Sequence, residues 1–178
     1  MLRSVKRFFH REPDVIIGGA ERPYLLRWWV IPRNSYFNIY LHKFLRSDDD
    51  RALHDHPWAS CSILLTGDYL EEVPACSREA WLAGNRATMK LPRRRFHPYF
   101  RKPEAVHRVE LLPEFEKVGF DIPRNRYLYA VKSEKPVWTI FLTGPWRRSW
   151  GFWCPQGFRP WREFTAADDS GATGKGCE

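Results

Sequence analysis

Fourteen prolines are scattered along 178 residues, and their spacing constrains the fold more than any other feature of the chain. A proline inside a helix removes a backbone donor and clashes with the preceding turn, so long helices are excluded. The intervals between prolines carry short stretches rich in aromatic and β-branched residues, at 24–31, 36–45, 58–70, 87–91, 105–112, 127–132 and 137–143. Short strands broken by turn signals predict an all-β sandwich or closed barrel, not alternating βαβ units. No glycine-rich nucleotide fingerprint follows any of these stretches, and no internal repeat is evident.

The length suits one domain with its own core. We expect a single domain over residues 1–165, its barrel spanning 36–143, and a flexible polar tail at 166–178, which is small-residue and glycine-rich. Residues 1–11 are basic and lack the apolar centre and cleavage site of a secretory signal; a short helix with Leu2, Val5, Phe8 and Phe9 on one side is expected there. No uncharged stretch approaches bilayer length, so no membrane span is expected. Cys61, Cys76, Cys154 and Cys177 show no CxxC pair and no regular spacing, and are expected to be reduced thiols of a cytoplasmic protein.

The net charge is +8, much of it local: Arg93, Arg94 and Arg95, then Arg101 and Lys102, then Arg147 and Arg148. Such runs attract phosphates, which makes nucleic acid a weak candidate partner, although most basic runs are solvated loops. The segment 150–164 is dense in aromatics and cannot stay exposed in a well-behaved monomer. Covering the core is the expectation; lining a pocket or forming a homodimer contact are the alternatives.

The chemistry concentrates in Leu53-His54-Asp55-His56-Pro57-Trp58. Side chains two apart on a strand leave the same face, so His54 and His56 can converge on one ion. Imidazole suits zinc, iron, nickel and copper. Continued alternation places Trp58, Ser60, Ser62 and Leu64 on the histidine face, with Cys61 opposite. Thr66-Gly67-Asp68 then supplies a turn into a return strand. Farther on, His107, Val109 and Leu111 alternate against Val106, Arg108 and Glu110, so His107 can point inward. His97 is the rival third ligand, but it follows three arginines and precedes Pro98, which favours an exposed turn. His42 shares a face with Asn38, Tyr40 and Phe44 and is a candidate pocket residue.

These residues resemble the two motifs of the cupin superfamily. The first motif is a strand carrying HxH, usually a glutamate a few residues on, and a turn glycine; the chain matches it at His54, His56 and Gly67. The glutamate is unmatched, since the shorter spacing gives Ser60 and the longer gives Cys61. The second motif places a histidine on a later strand after a proline–glycine turn, and Pro103-Glu104-Ala105-Val106-His107 matches it loosely. The chain also looks similar to small cupin-like proteins of bacteria and their phages, with the HDHPW stretch and an aromatic tail.

The resemblance implies a double-stranded β-helix, or jelly-roll barrel, holding a divalent metal through His54, His56 and His107. His42, Tyr40, Trp58 and Ser60 are the expected substrate-binding residues. Three neutral ligands leave the metal charge uncompensated, which favours an anionic or chelating substrate. Cupins without the glutamate resemble three-histidine dioxygenases, so Fe(II) is the expected metal, with zinc, nickel or manganese as alternatives. A sugar-phosphate isomerase or epimerase, and a binding protein without turnover, are the competing readings. Asp48, Asp49, Asp50 and Asp55 are acidic residues near the motif; Asp55 faces the wrong way for a ligand and is expected to orient a loop or to pair with Arg51. Arg93 to Arg95 are placed at the barrel mouth.

Overall fold

The computed structural model describes residues 11–48, 52–168 and 170–178. The helix expected at the N-terminus therefore lies outside the described residues, except for Arg11. The chain runs through β1 (Val15–Ile17), β2 (Leu25–Trp29), β3 (Asn38–Phe44), β4 (Leu53–His54), β5 (Ser60–Leu64) and β6 (Tyr69–Pro74). After a short helix α1 (Arg78–Leu82) come β7 (Thr88–Arg93), β8 (Pro98–Arg101), β9 (Arg108–Leu111), β10 (Pro113–Asp121) and β11 (Arg126–Glu134). β12 (Val137–Thr143), β13 (Gly151–Cys154), β14 (Gly157–Pro160) and α2 (Trp161–Phe164) complete it.

The fold class is all-β, as the proline spacing predicts. The strands form antiparallel sheets in the orders β1-β2-β3-β12-β5-β8, β7-β6-β9 and β14-β13-β4, with β10-β11 as a separate pair. This is a jelly-roll arrangement whose sheets are not joined into one continuous barrel. Prolines sit where a missing donor does little harm: Pro98 begins β8, the outer strand of the large sheet, and Pro92 lies in β7, the outer strand of its own.

β12 lies inside the large sheet and alternates strictly, burying Val137, Thr139, Phe141 and Thr143 while the residues between them stay part-exposed. Leu25, Phe44, Leu64 and Val137 from this sheet pack against Tyr69, Val109 and Leu111 from β6 and β9. Facing apolar rows of two sheets thus make the core. The 58–70 stretch is two strands in different sheets. Gly67 turns the chain at φ 63, and a Cβ there would come within 2.9 Å of Val137 Cγ2. The return strand expected beside β5 instead joins β7 and β9, because the turn carries the chain across the core.

The aromatic segment does cover part of the molecule. β13 and β14 form a hairpin, Phe152 stacks on Phe164 with ring centroids 3.6 Å apart, and Trp150 stacks on Trp161 at 5.7 Å. The tail is held against the body at several points. Gly174 N–H and Gly176 N–H donate to Phe164 O at 3.0 and 3.1 Å, and a Cβ on Gly174 would meet Thr165 O at 2.6 Å. The tail ends in a Cys154–Cys177 disulfide, so four reduced thiols is also corrected; Cys61 and Cys76 stay free. Residues 23 apart carry no spacing signal, and only the folding back of the tail brings them together. No helix among the described residues is long and apolar enough to cross a membrane.

β10 and β11 expose apolar side chains on their surface, Phe115, Val118, Tyr129 and Val131 among them. Leu64, fully buried in the core, contrasts with Phe115 at 57% exposure. Leu64→Ala should lower the unfolding free energy by about 2–5 kcal/mol, whereas Phe115→Ser should change it by no more than about 0.5 kcal/mol. Urea denaturation of both variants checks this, and equal effects would contradict the placement of the core.

Candidate metal centre

His54 ends β4, and its backbone exchanges two hydrogen bonds with His107: His54 N–H to His107 O and His107 N–H to His54 O, both 2.9 Å. Residues paired directly in this way put their side chains on one face. The pairing therefore aims both imidazoles at the same space. His56 lies beyond the strand, and its N–H donates to Pro103 O at 3.2 Å. The three rings form a near-equilateral triangle, with centroid separations of 5.2, 5.0 and 5.1 Å. Each offers a nitrogen, and these lie within 4.8 Å of one another.

The donor set fits a divalent metal. His56 Nε2 and His107 Nε2 are 2.9 Å apart. Two nitrogens bonded to a metal at about 2.0–2.1 Å would subtend roughly a right angle at that separation. Burial drives the His54 pKa down to about 4, against a smaller upward pull from Asp48, so the ring is neutral at pH 7. Burial, with the neighbouring His107 and His54, also holds His56 well below its ordinary value. Neutral imidazoles are the form that binds metal. His54 Nδ1 is buried without a hydrogen-bond partner, another polar atom awaiting one.

Carboxylates stand behind two of the rings. Glu71, 1% exposed on β6, places Oε1 2.6 Å from His107 Nδ1, a close contact whose ring N–H is not well aligned along it. That carboxylate favours a proton on Nδ1 and leaves Nε2 free to ligate. Burial alone would raise the Glu71 pKa, but His107 and Arg101 hold it well below the usual carboxylate range. Arg93 Nε and Arg101 Nε both donate to Glu71. Arg101 Nη1 also donates to Ser62 Oγ at 2.9 Å. Asp48 Oδ2 accepts from Val109 N–H at 2.8 Å and lies 3.9 Å from His54 Nδ1.

The triad opens on a cavity of ≈ 620 Å³ between the sheets. Of the expected pocket residues, His42 and Trp58 line it. Tyr40 is buried and stacks on His42 at 5.8 Å, and Ser60 is buried on β5 away from the wall. The pinned tail contributes Ser170, Gly171, Ala172 and Thr173 to the lining.

Some sequence expectations hold and others are corrected. His97 is exposed in a turn, its Nδ1 2.8 Å from Arg95 O, and takes no part in the cluster. Arg93 is committed to Glu71 and Arg95 faces Asp68 at 3.7 Å; the arginines that line the cavity are Arg22, Arg27 and Arg46. Asp55 does orient a neighbouring segment, accepting from Arg148 Nη1 at 2.5 Å and Gly151 N–H at 2.9 Å; Arg51, Asp49 and Asp50 lie outside the described residues. Cys61 points away from the histidines, as strand parity requires, on the part-exposed face of β5.

No protein-family model matches this sequence, and neither does any curated protein. Solved structures similar in fold are cupin and double-stranded β-helix proteins. A cupin domain from Bordetella pertussis Tohama I is 14% identical, with 71% of this chain and 98% of that chain covered and a TM-score of 0.41. A putative mannose-6-phosphate isomerase from Ralstonia eutropha JMP134 is also 14% identical, covering 74% of this chain and 92% of that one, at 0.42. The Fe(II) form of HppE is 12% identical, covering 75% of this chain and 58% of that one, at 0.46.

Two outcomes follow from these charges. Glu71→Gln should weaken zinc affinity about 10–100-fold, read by competition with a chromophoric chelator on protein whose circular dichroism is unchanged; unaltered affinity would contradict the orienting role. His42, His54 and His56 all have folded pKa values below their ordinary 6.5, so the unfolded chain binds more protons as pH falls. Their stabilisation is complete above pH 6.5 and is lost towards the depressed values, about 4 for His54. Each contributes up to about 1.4 kcal/mol per pH unit in that window. Chelator-treated protein should lose thermal stability steadily from pH 6.5 downward, and a flat profile to pH 5 would contradict burial of neutral histidines.

Proposed function

We propose that this protein is a metal-dependent enzyme whose three histidines hold Fe(II) for oxygen-dependent chemistry on a small anionic or chelating substrate. The observation that carries this reading is the convergence of His54, His56 and His107 at the wall of a cavity large enough for a small molecule. A nitrogen-only donor set leaves positions open and charge unneutralised, which a substrate with its own negative donor can fill. When bound, the metal would supply an open Lewis-acidic, redox-active site for substrate and dioxygen.

The remaining work belongs to the chain. Glu71 stands behind His107 and keeps its ring in register, and Asp48 adds a carboxylate charge 3.9 Å from His54 Nδ1. Phe141, Trp150 and Phe152 enclose the triad with apolar surface, limiting water near the open side. The tail residues Ser170 to Thr173 close another part of the wall. Trp58, stacked on His56 at 6.3 Å, bounds the cavity on the side of the loop before β5.

Nitric oxide tests the open site without knowledge of the substrate. Anaerobic, iron-loaded protein should give the high-spin iron–nitrosyl resonance, and His54→Ala should abolish it. Absence of that resonance in iron-loaded wild type would contradict an oxygen-accessible iron site.

A further inference from the structure

Four arginines beside the core illustrate an asymmetry. Arg93 and Arg101 share Glu71, and Arg148 is paired with Asp55. Arg27, on β2, lines the cavity, and among the described residues no carboxylate pairs with it. Its Nε donates to His42 Nε2 at 2.8 Å, and its guanidinium carbon lies 4.9 Å from the centre of the Tyr40 ring. β2 and β3 pair Arg27 directly opposite His42, so the register itself sets this contact. The Nε bond uses one edge of a five-donor fork. A desolvated cation without a counter-charge is costly, and this one lies at the wall of a cavity.

His42 is suited to hold the guanidinium without neutralising it. Burial and the Arg27 charge keep its pKa well below the ordinary value, so the ring stays neutral and accepts. His42 stacks on Phe141 at 5.0 Å, and Phe141 lies 6.2 Å from His56, so one ring joins the arginine to the triad. Flat apolar surfaces of Trp150, Phe152 and Trp161 line the same cavity. Among the described residues Asp48 is the carboxylate in its wall, and it accepts from Val109 N–H beside His54.

We infer that Arg27, positioned by His42, is an anion subsite of this cavity, and that its ligand is an oxyanion carried on an aromatic or flat apolar body. The inference rests on the proposed metal site only for what lies at the other end of the ligand. The oxyanion takes the free edge of the guanidinium, its body lies against the aromatic wall, and a second donor can reach the triad. Planar carboxylates and tetrahedral phosphonates share this chemistry.

Phenylacetate, benzylphosphonate and neutral phenylacetamide are the probes, titrated calorimetrically into zinc-loaded and chelator-treated protein. Wild type should bind at least one anion more tightly than the amide, and the stronger anion identifies planar or tetrahedral preference. Arg27→Gln should weaken anion binding about ten- to a hundredfold and erase the preference, with zinc content unchanged, while Arg27→Lys should keep part of it. Anion binding by Arg27→Gln equal to wild type, or no anion preference in wild type, would overturn the subsite. If Arg27→Gln fails to fold, Arg27→Lys decides the matter: it keeps the charge but not the planar fork, and anion affinity and preference equal to wild type would overturn the subsite. Because the chelator-treated arm needs no metal, it judges the cavity's arginines without it, and Arg27→Gln separates Arg27 from Arg22 and Arg46; a wild type that takes up no zinc contradicts the metal reading instead.

Discussion

The reciprocal backbone pairing of His54 with His107 is the contact on which the rest of this structure depends. One pair of 2.9 Å hydrogen bonds places two imidazoles on a common face. It also stitches two sheets together, because β4 pairs with β13 on its other side while His107 leads into β9. Phe152 stands opposite His54 in that second pairing. The aromatic hairpin, the triad and the core strands are therefore linked through a two-residue strand.

A site built this way must manage buried charge. Glu71 sits between Arg93, Arg101 and His107, so its negative charge faces two guanidinium groups. Removing one member of such a network leaves an uncompensated buried ion, commonly at a cost of about 3–5 kcal/mol. Asp55 and Arg148 repeat the device at the other end of the histidine pair, where Asp55 also receives Gly151 N–H and fixes the start of β13. His54 and His56 stay neutral through burial, which both prepares them for a cation and makes the fold sensitive to acid.

Much of this was legible in the sequence, but unevenly. His54 and His56 share a face by alternation even though the strand stops at His54, since the extended chain carries His56 onward to its bond with Pro103 O. His107 was readable from the inward row His107, Val109, Leu111, though nothing in the sequence announces its pairing with His54. Glu71 was missed because Glu71-Glu72 reads as a solvated strand edge; the signal was parity with buried Tyr69. Arg27 was missed for a similar reason, lying among apolar neighbours on β2 with no charged partner nearby in sequence. The pinning of the tail and its disulfide depends on contacts between distant segments, which local pattern does not carry.

Elemental analysis tests most directly whether His54, His56 and His107 together bind one metal ion. Protein purified without chelators or affinity metal should carry close to one equivalent of a divalent transition metal, and His56→Ala and His107→Ala should each carry almost none while remaining folded. A metal-free wild type that also refuses added zinc and iron, or full metal retention in both variants, would contradict it.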